Sequence, residues 1–217
     1  MCQPCGLASD ERPSTALTSK LKFGARTIFI VMYARLEQIG LTALAAAAYY
    51  VTFKLNQYLD PWFLYGSGIS LLFLPAGVKH VSILLAGRWG ALGSFLGLLL
   101  LVPSFWPELR LSMALPYVAF STLATWAGIV LSMWLLNIRP DLTNLKLLHL
   151  PVMDLITTLL HSVLTNSFFV LLGLKTIADW NRNTMAMMVG DYLGSLCLML
   201  VLFAALQWLP RKPARQL

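Results

Sequence analysis

The sequence predicts an all-α integral membrane protein, a polytopic helical bundle of about six transmembrane helices preceded by an interfacial amphipathic helix. The first observation is composition: 58% of the 217 residues are hydrophobic and 12% are charged, whereas soluble domains carry roughly 25% charged residues. The second is that the apolar residues form six long stretches, with most Lys and Arg residues outside them. This balance argues against intrinsic disorder, a secreted disulfide scaffold and a compact nucleic-acid-binding domain.

Four segments follow one another along the chain. Residues 1–20 are polar and lack an apolar core, which predicts a cytoplasmic tail and not a signal peptide. Residues 21–37 carry charges around a short apolar run, which predicts an interfacial helix; one continuous tilted helix over about 24–54 is the alternative. The membrane domain is predicted over 38–209, and a basic cytoplasmic tail over 210–217.

Each predicted span is long enough, at ~1.5 Å per residue, to approach a hydrocarbon core of ~30 Å. The spans are placed at about 38–54, 64–86, 90–107, 113–137, 150–174 and 184–209. The connections are short, so neighbouring helices are expected to be antiparallel.

The orientation follows from the positive charges. Eleven Lys and Arg residues fall on one side of the six-span arrangement and four on the other; with Lys79 inside a span they make up all 16. Because cytoplasmic loops are enriched in Lys and Arg, both termini are predicted to face the cytoplasm, across a bacterial inner membrane. The basic C-terminal tail is expected to contact anionic lipids, and no nucleic-acid partner is expected.

Glycine, proline and tryptophan mark the places where the helices are irregular or end. The positions concerned are Gly66, Gly68, Pro75 and Gly77 in the second span, and Gly87, Gly90, Gly93 and Gly97 in the turn and the third span. Small residues at this spacing predict a tight hairpin of spans two and three. A broken backbone that lines a ligand cavity is the alternative. Trp62, Trp106 and Trp180 lie near span ends and are expected to anchor there.

The candidate site consists of the ionisable residues inside the spans, because such residues cost about 2.5–3.5 kcal/mol on insertion scales. They are Lys79, His80, Asp154, His161 and Asp191. We interpret them as an intramembrane ligand or partner site.

Helix geometry predicts which of these residues meet. Lys79 and Asp154 lie within roughly 6–11 Å of the cytoplasmic edge at ~1.5 Å per residue, so they pair or extend separately to that edge. His161 lies near the midplane, about 5 Å in depth from Asp191, which makes a contact between them feasible. His161 also belongs to a stripe with Asp154, Thr158 and Thr165 on one face of span five. That stripe is either a structural hydrogen-bonded network or a ligand or proton site.

Other chemistry has little support in the sequence. Cys2 and Cys5 form one CxxC without the second pair that a zinc site needs, and Cys197 lies inside span six. A metal or other cofactor is therefore not expected. The sequence lacks a GxSxG, an HExxH, a P-loop and a GxGxxG after a strand, so we expect no enzymatic activity.

Two stretches carry a family resemblance. Spans two and three read FLPAGVKHVSILLAGRWGALGSFLG, and span six reads WNRNTMAMMVGDYLGSLCLML. Together they resemble the first class of bacterial membrane-associated sensor domains (MASE type), which occur on histidine kinases and cyclic-di-GMP enzymes. That family has a Trp-Pro-Pro-x-Gly turn before a Leu-rich helix that ends in Gly, and a Gly-Asp-x-x-Gly motif preceded by Trp in its final span. The matching residues are Pro75, Gly77, Gly87, Trp180, Gly190, Asp191 and Gly194.

The resemblance implies a sensory or ligand-binding membrane module, and it makes Asp191 the first residue to test. Phe73 and Leu74 stand where the family has Trp and its first Pro, and the chain has about six spans where the family has about eight. Only eight residues follow Leu209. We therefore expect no output domain, and a signal that passes to a separate subunit.

The leading expectation is thus a non-enzymatic inner-membrane module that binds a small molecule or a partner membrane protein. A small transporter or substrate-binding subunit of the energy-coupling type is a second interpretation, which uses the interrupted second span and His161. An accessory structural subunit of a larger membrane complex is a third.

Overall fold

The computed structural model describes the backbone of residues 14–65, 69–107 and 110–208, and the side chains of 32–65, 69–104, 106–107, 110–202 and 205. The helices are α1 (Ser14–Phe63), α2 (Leu74–Ala86), α3 (Arg88–Phe105), α4 (Leu111–Leu135), α5 (His149–Leu171) and α6 (Trp180–Trp208), with a 3-10 turn at Ile177–Asp179 before α6. The N-terminal CxxC (Cys2, Cys5), Gly66, Gly68 and the basic tail 210–217 lie outside the described residues.

The helical content confirms the all-α prediction. Among the described residues, three helical segments are long and apolar enough to cross a membrane: Leu111–Leu135, His149–Leu171 and Ile177–Leu202. Helix α2 has 13 residues and is therefore only ~20 Å long at 1.5 Å per residue, which is shorter than a hydrocarbon core. The chain is thus a membrane protein by the length and composition of these helices.

The chain divides into one unit up to Gly40 and a second unit over Leu41–Leu217. In the first unit, the described residues are helical from Ser14, inside the segment predicted as a polar tail. Helix α1 also continues through residues 37 and 38, where a boundary between an interfacial helix and the first span was predicted. The reason is that no proline interrupts the sequence between Pro13 and Pro61, and alanines dominate residues 43–48.

The helix bounds of the later spans agree with the predictions to within a few residues, but the second span does not. A helix was predicted over 64–86, whereas α2 begins at Leu74. Pro75 favours a helix start at this point because it lacks an N–H that an earlier turn would need. The described residues just before α2 are non-helical, and Leu64 and Ser70 form an isolated antiparallel bridge.

Helix α2 lies in the interior of the second unit and packs against α3, α4 and α6. Eight of its 13 residues are buried. Helix α5 packs between α4 and α6. The interior therefore receives side chains from several helices at the level of α2.

The interior has a polar layer between two apolar clusters. One cluster has members from each of the four helices α1, α2, α3 and α4: Tyr49, Phe53, Val78, Leu98, Leu101, Val102, Ala114 and Val118. The other contains Ile83, Ile129, Ile138 and Met153. Along α4, the buried polar residues Ser121 and Thr125 lie between these two clusters. On the outside of the bundle, Leu100 of α3, Val130 of α4 and Val201 of α6 are more than half exposed. Polar groups inside and apolar groups outside are typical of a bundle surrounded by lipid.

Glycines make the close contacts of this interior. A Cβ on Gly90 would lie 1.9 Å from the Ser82 carbonyl oxygen of α2, which confirms the tight hairpin of α2 and α3. Gly93 and Gly97 instead face α1, at Ala45 and Ala46. The small residues of α3 therefore bring it close to two helices.

Gly194 of α6 provides a test of this packing. A Cβ there would lie 2.2 Å from the Phe73 carbonyl, and backbone cannot move aside as a flexible side chain can. We expect Gly194→Ala to lower the stability of the protein by about 1–3 kcal/mol, the usual cost of overpacking, measured by thermal unfolding in detergent.

Gly40→Ala is the matched control, because no described atom lies within 4 Å of the added carbon. It should be neutral, or stabilising by up to about 1 kcal/mol from helix propensity. Equal stability of the two variants would show that α6 and the residues before α2 are not in close contact.

Candidate functional site

The five residues predicted as an intramembrane site are all buried, each at most 8% exposed. Lys79 and His80 come from α2, Asp154 and His161 from α5, and Asp191 from α6. The structure brings them together as two adjacent polar clusters, which meet at the consecutive residues of α2.

The first cluster is a hydrogen-bonded chain of four side chains. The Lys79 ammonium donates to Ser121 Oγ at 3.0 Å and lies 3.5 Å from His161 Nε2. Ser121 Oγ lies 3.0 Å from His161 Nε2. At the other side of the ring, His161 Nδ1 lies 3.0 Å from Asp191 Oδ2. The contact between His161 and Asp191 that their depths made feasible is therefore present.

The protonation of this chain follows from its acceptors. A carboxylate only accepts hydrogen bonds, so His161 Nδ1 carries the hydrogen that points to Asp191. A second cation beside Lys79 would be unpaired, which favours a neutral ring with Nε2 as the acceptor for Ser121. Every hydrogen bond in the chain then points from Lys79 toward Asp191.

The second cluster pairs His80 with Asp154. His80 Nδ1 lies 2.5 Å from Asp154 Oδ1, and Ser195 Oγ of α6 lies 3.4 Å from the same nitrogen. The suggested pairing of Lys79 with Asp154 is therefore wrong, and the Lys79 side chain is buried, at 3% exposed. Successive helix residues point about 100° apart, so Lys79 faces α4 and His161 while His80 faces Asp154.

The polar stripe of α5 is buried as expected. Asp154, Thr158, His161 and Thr165 are all at most 4% exposed. Thr158 is satisfied within its own helix, since its hydroxyl donates to the Asp154 carbonyl at 2.9 Å. The hydroxyl of Thr165 has no partner among the described residues. The stripe therefore contains a residue that is bonded within α5, Thr158, and two residues that belong to the polar clusters, Asp154 and His161.

The first cluster forms the floor of a cavity of about 260 Å³. The cavity is lined by Tyr49, Phe53, Gln57, Asp60, Ile69, Ser70, Phe73, Lys79, Leu98, Trp106, Tyr117, Ser121, His161, Phe169, Lys175, Met187 and Asp191. Among the predicted site residues, Lys79, His161 and Asp191 line it, and His80 and Asp154 do not. The described non-helical residues Ile69, Ser70 and Phe73, which precede α2, also line it.

Aromatic rings form one wall of the cavity. Tyr117 stacks on Phe169 with ring centroids 5.4 Å apart, and Trp106 meets Phe169 edge to face at the same distance. Trp106, which was predicted as an interfacial anchor, contributes to this wall. Trp62, also predicted as an anchor, is 70% exposed.

Lys175 lies at the end of the same wall, just beyond α5. Its ammonium is 5.2 Å from the centroid of the Phe169 ring, a distance suited to a cation–π contact. Partial burial lowers the pKa of Lys175, and the nearby Asp179 opposes that shift.

Asn56 was not predicted, yet it fixes the start of α2. Its side-chain oxygen accepts a hydrogen bond from the Leu74 N–H at 2.8 Å, so it takes the role of an N-cap from another helix. Its side-chain nitrogen donates to Asp60 and, at 3.4 Å, to Ser70. An isolated Asn near the end of a span gives only a weak sequence signal, since its partners are 14 and 18 residues away.

The residues that match the sensor-domain motifs serve mainly to hold α2 against α6. Gly190 accepts a backbone hydrogen bond from Phe73 at 3.0 Å. Gly77 faces Ser195 of α6, and Gly87 adopts a positive φ of 55° between α2 and α3. Trp180, at the start of α6, donates from Nε1 to Ser167. Asp191 is the one motif residue that contributes an ionisable group to the cavity.

Among the described residues, no three His, Cys, Asp or Glu side chains are grouped as a metal site. Comparison with known proteins finds no matching family model, no matching curated protein and no matching solved structure. The fold and the cavity define the class: an all-α membrane protein with a buried, charged and hydrogen-bonded interior.

Asn56 supplies a testable stability contribution. We expect Asn56→Leu to destabilise the protein by about 1–3 kcal/mol, because the buried Leu74 N–H loses its acceptor. Thermal unfolding in detergent measures the change. The control is Gln57→Leu at the next position, where the side chain bonds the exposed Lys54 and a change within about 0.5 kcal/mol is expected. Equal effects of the two substitutions would contradict the capping role of Asn56.

Proposed function

We propose that this chain is a multi-pass protein of the bacterial inner membrane that acts as a sensor-like, non-enzymatic binding module. It binds a small ligand in the cavity, or a partner membrane protein, and passes its signal to a separate subunit. The observation that carries the proposal is the charged floor of the cavity: Lys79, His161 and Asp191 are buried, hydrogen-bonded to one another and open to a space large enough for a small molecule.

The position of the floor supports a role in signalling. Lys79 lies on α2, Ser121 on α4, His161 on α5 and Asp191 on α6, so a molecule that binds the floor contacts groups that join four helices. A ligand shifts a conformational equilibrium only by its different affinity for the two states. Hydrogen-bonded groups that come from several helices are suited to such a ligand, because the distances between these groups change whenever the helices move.

The resemblance to MASE-type sensor domains agrees with this interpretation. In this chain the matching Gly-Asp-x-x-Gly stretch contributes Asp191 to the cavity lining, and its two glycines lie against the residues at the start of α2. Gly190 and Gly194 make close contacts with Ser70 and Phe73. Binding at Asp191 would therefore alter the contacts between α6 and the residues at the start of α2.

We further propose six membrane segments with both termini in the cytoplasm. The short helices α2 and α3 complete the bundle with α4 to α6 and the part of α1 after Gly40. The support is the distribution of Lys and Arg, 11 against 4 on the two sides. Lipids would contact the exposed apolar surface, and anionic headgroups the basic tail.

The proposed function is tested by removing the charge of Asp191. Protein purified in mild detergent is subjected to mass spectrometry of every bound molecule, small or large. We expect Asp191→Asn to reduce the bound ligand or partner by about tenfold or more, a loss of 1.4 kcal/mol or more, while the protein remains folded. Asp141→Asn, in an exposed loop, is the control and should retain it. Unchanged binding in a folded Asp191→Asn variant rejects the site.

The topology is tested by labelling single cysteines in a cysteine-free background. Thr143 lies in the loop between α4 and α5, and Thr176 in the loop between α5 and α6. We expect Thr176→Cys to react with a membrane-impermeant maleimide in intact cells, and Thr143→Cys to react only after permeabilisation. The reverse pattern would invert the orientation, and equal labelling of both would exclude a span between them.

A small transporter is a second candidate, favoured by one observation. The helix α2 begins inside the bundle, and the irregular residues before it line the cavity. Discontinuous helices of this kind form substrate sites in transporters. Substrate accumulation in vesicles that is lost in His161→Gln would support this function, and binding without accumulation would favour the sensor.

A further inference from the structure

The charged residues that line the cavity are balanced at each end of it. Lys79 and Asp191 lie at the floor, in the middle of α2 and α6. Asp60, in the last turn of α1, and Lys175, after the end of α5, lie where the helices end. Among the described residues, the lining thus carries two positive and two negative groups, with one of each sign at either end.

At the floor, both charges have hydrogen-bonding capacity left. The Lys79 ammonium has three N–H groups, and its described partners are Ser121 and His161. The Asp191 carboxylate has two oxygens, and the described bond to His161 uses Oδ2. A ligand at the floor therefore meets a donor from Lys79 and an acceptor from Asp191, separated by the ring of His161.

Charge balance favours a ligand without net charge. Attraction between charges is stronger in a low-dielectric interior, but an unpaired charge there is costly. Lys79 and Asp191 already offset each other, so an added anion or cation would leave one charge in excess. A zwitterion adds a matching pair and leaves the floor neutral.

The walls favour an apolar body. Tyr49, Phe73, Trp106, Tyr117 and Phe169 surround the space above the floor together with Leu98 and Met187. Aromatic walls contribute large apolar contact areas to ligand binding. The polar end of a ligand would thus lie at the floor, and its apolar end among the rings.

We propose that the cavity binds a small zwitterion of the α-amino acid type with an aromatic or branched apolar side chain. Its carboxylate accepts from Lys79 and its ammonium donates to Asp191. This assignment rests on the proposed binding function and names its ligand class. A zwitterionic phospholipid headgroup shares the polar chemistry, so the experiment distinguishes a free molecule from a lipid.

The test compares three probes with the same aromatic body: L-phenylalanine, the anion 3-phenylpropionate and the cation phenethylamine. Binding is measured by equilibrium dialysis on the full-length protein in nanodiscs of phosphatidylglycerol. We expect L-phenylalanine to bind about tenfold or more tightly than either singly charged probe, because each of them leaves one charged group of the site unpaired. Equal or tighter binding of a singly charged probe overturns the zwitterion assignment but leaves the binding function intact.

Two variants give a reciprocal readout that a purely structural role would not produce. Lys79→Met should weaken phenylalanine about tenfold or more but spare phenethylamine, and Asp191→Asn should weaken phenylalanine similarly but spare 3-phenylpropionate. Lys54→Met, whose ammonium is exposed and bonds Gln57, is the control and should bind all three as the unmodified protein does. An equal loss of every probe in both variants contradicts the assignment. If either variant does not fold, the order of affinity of the unmodified protein for the three probes tests the zwitterion assignment.

Nanodiscs that also contain phosphatidylethanolamine separate the two sources of a zwitterion. Unchanged phenylalanine binding supports a free ligand. Competition by the lipid identifies its headgroup as the occupant and overturns the amino-acid assignment. If none of the three probes binds while mass spectrometry finds another molecule lost in Asp191→Asn, the ligand class is wrong and the proposed function stands.

Discussion

The structure depends on satisfying charged groups in an interior that is surrounded by apolar surface. Lys79, His161 and Asp191 are each at most 4% exposed, and a buried charge without partners would be strongly destabilising. They are tolerated because Ser121 and the His161 ring connect the ammonium to the carboxylate. This connection joins α2, α4, α5 and α6 around the cavity.

The second constraint is the short helix α2. A helix that begins inside a bundle leaves backbone N–H groups without partners, and these must be satisfied by protein because lipid offers none. Asn56 supplies an acceptor to Leu74, and the Gly190 carbonyl accepts from Phe73. These two contacts place an irregular stretch of backbone beside the polar chain. The cavity is the space that results.

The proposed binding function rests on these two features together. The floor offers both charges and the walls offer aromatic rings, which suits a small amphipathic molecule. The second pair, His80 with Asp154, does not line the cavity, but it joins α2 to α5 next to Lys79. Movement of α2 on ligand binding would therefore affect both polar clusters at once.

The sequence by itself determined the all-α class, the bounds of α3 to α6 to within a few residues, and the five buried ionisable residues, since hydropathy and helix periodicity are local properties. It also indicated, from their depths, that a contact between His161 and Asp191 was feasible. Only the tertiary structure decided that Lys79 joins Ser121 and His161 and that Asp154 pairs with His80, because partner choice depends on helix rotation. Only the tertiary structure likewise showed the role of Asn56 and the start of α2 at Leu74, because the acceptors Asn56 and Gly190 come from distant parts of the chain. The hydropathy pattern along the chain thus identified which ionisable groups are buried, whereas the packing of the helices determined which of them meet.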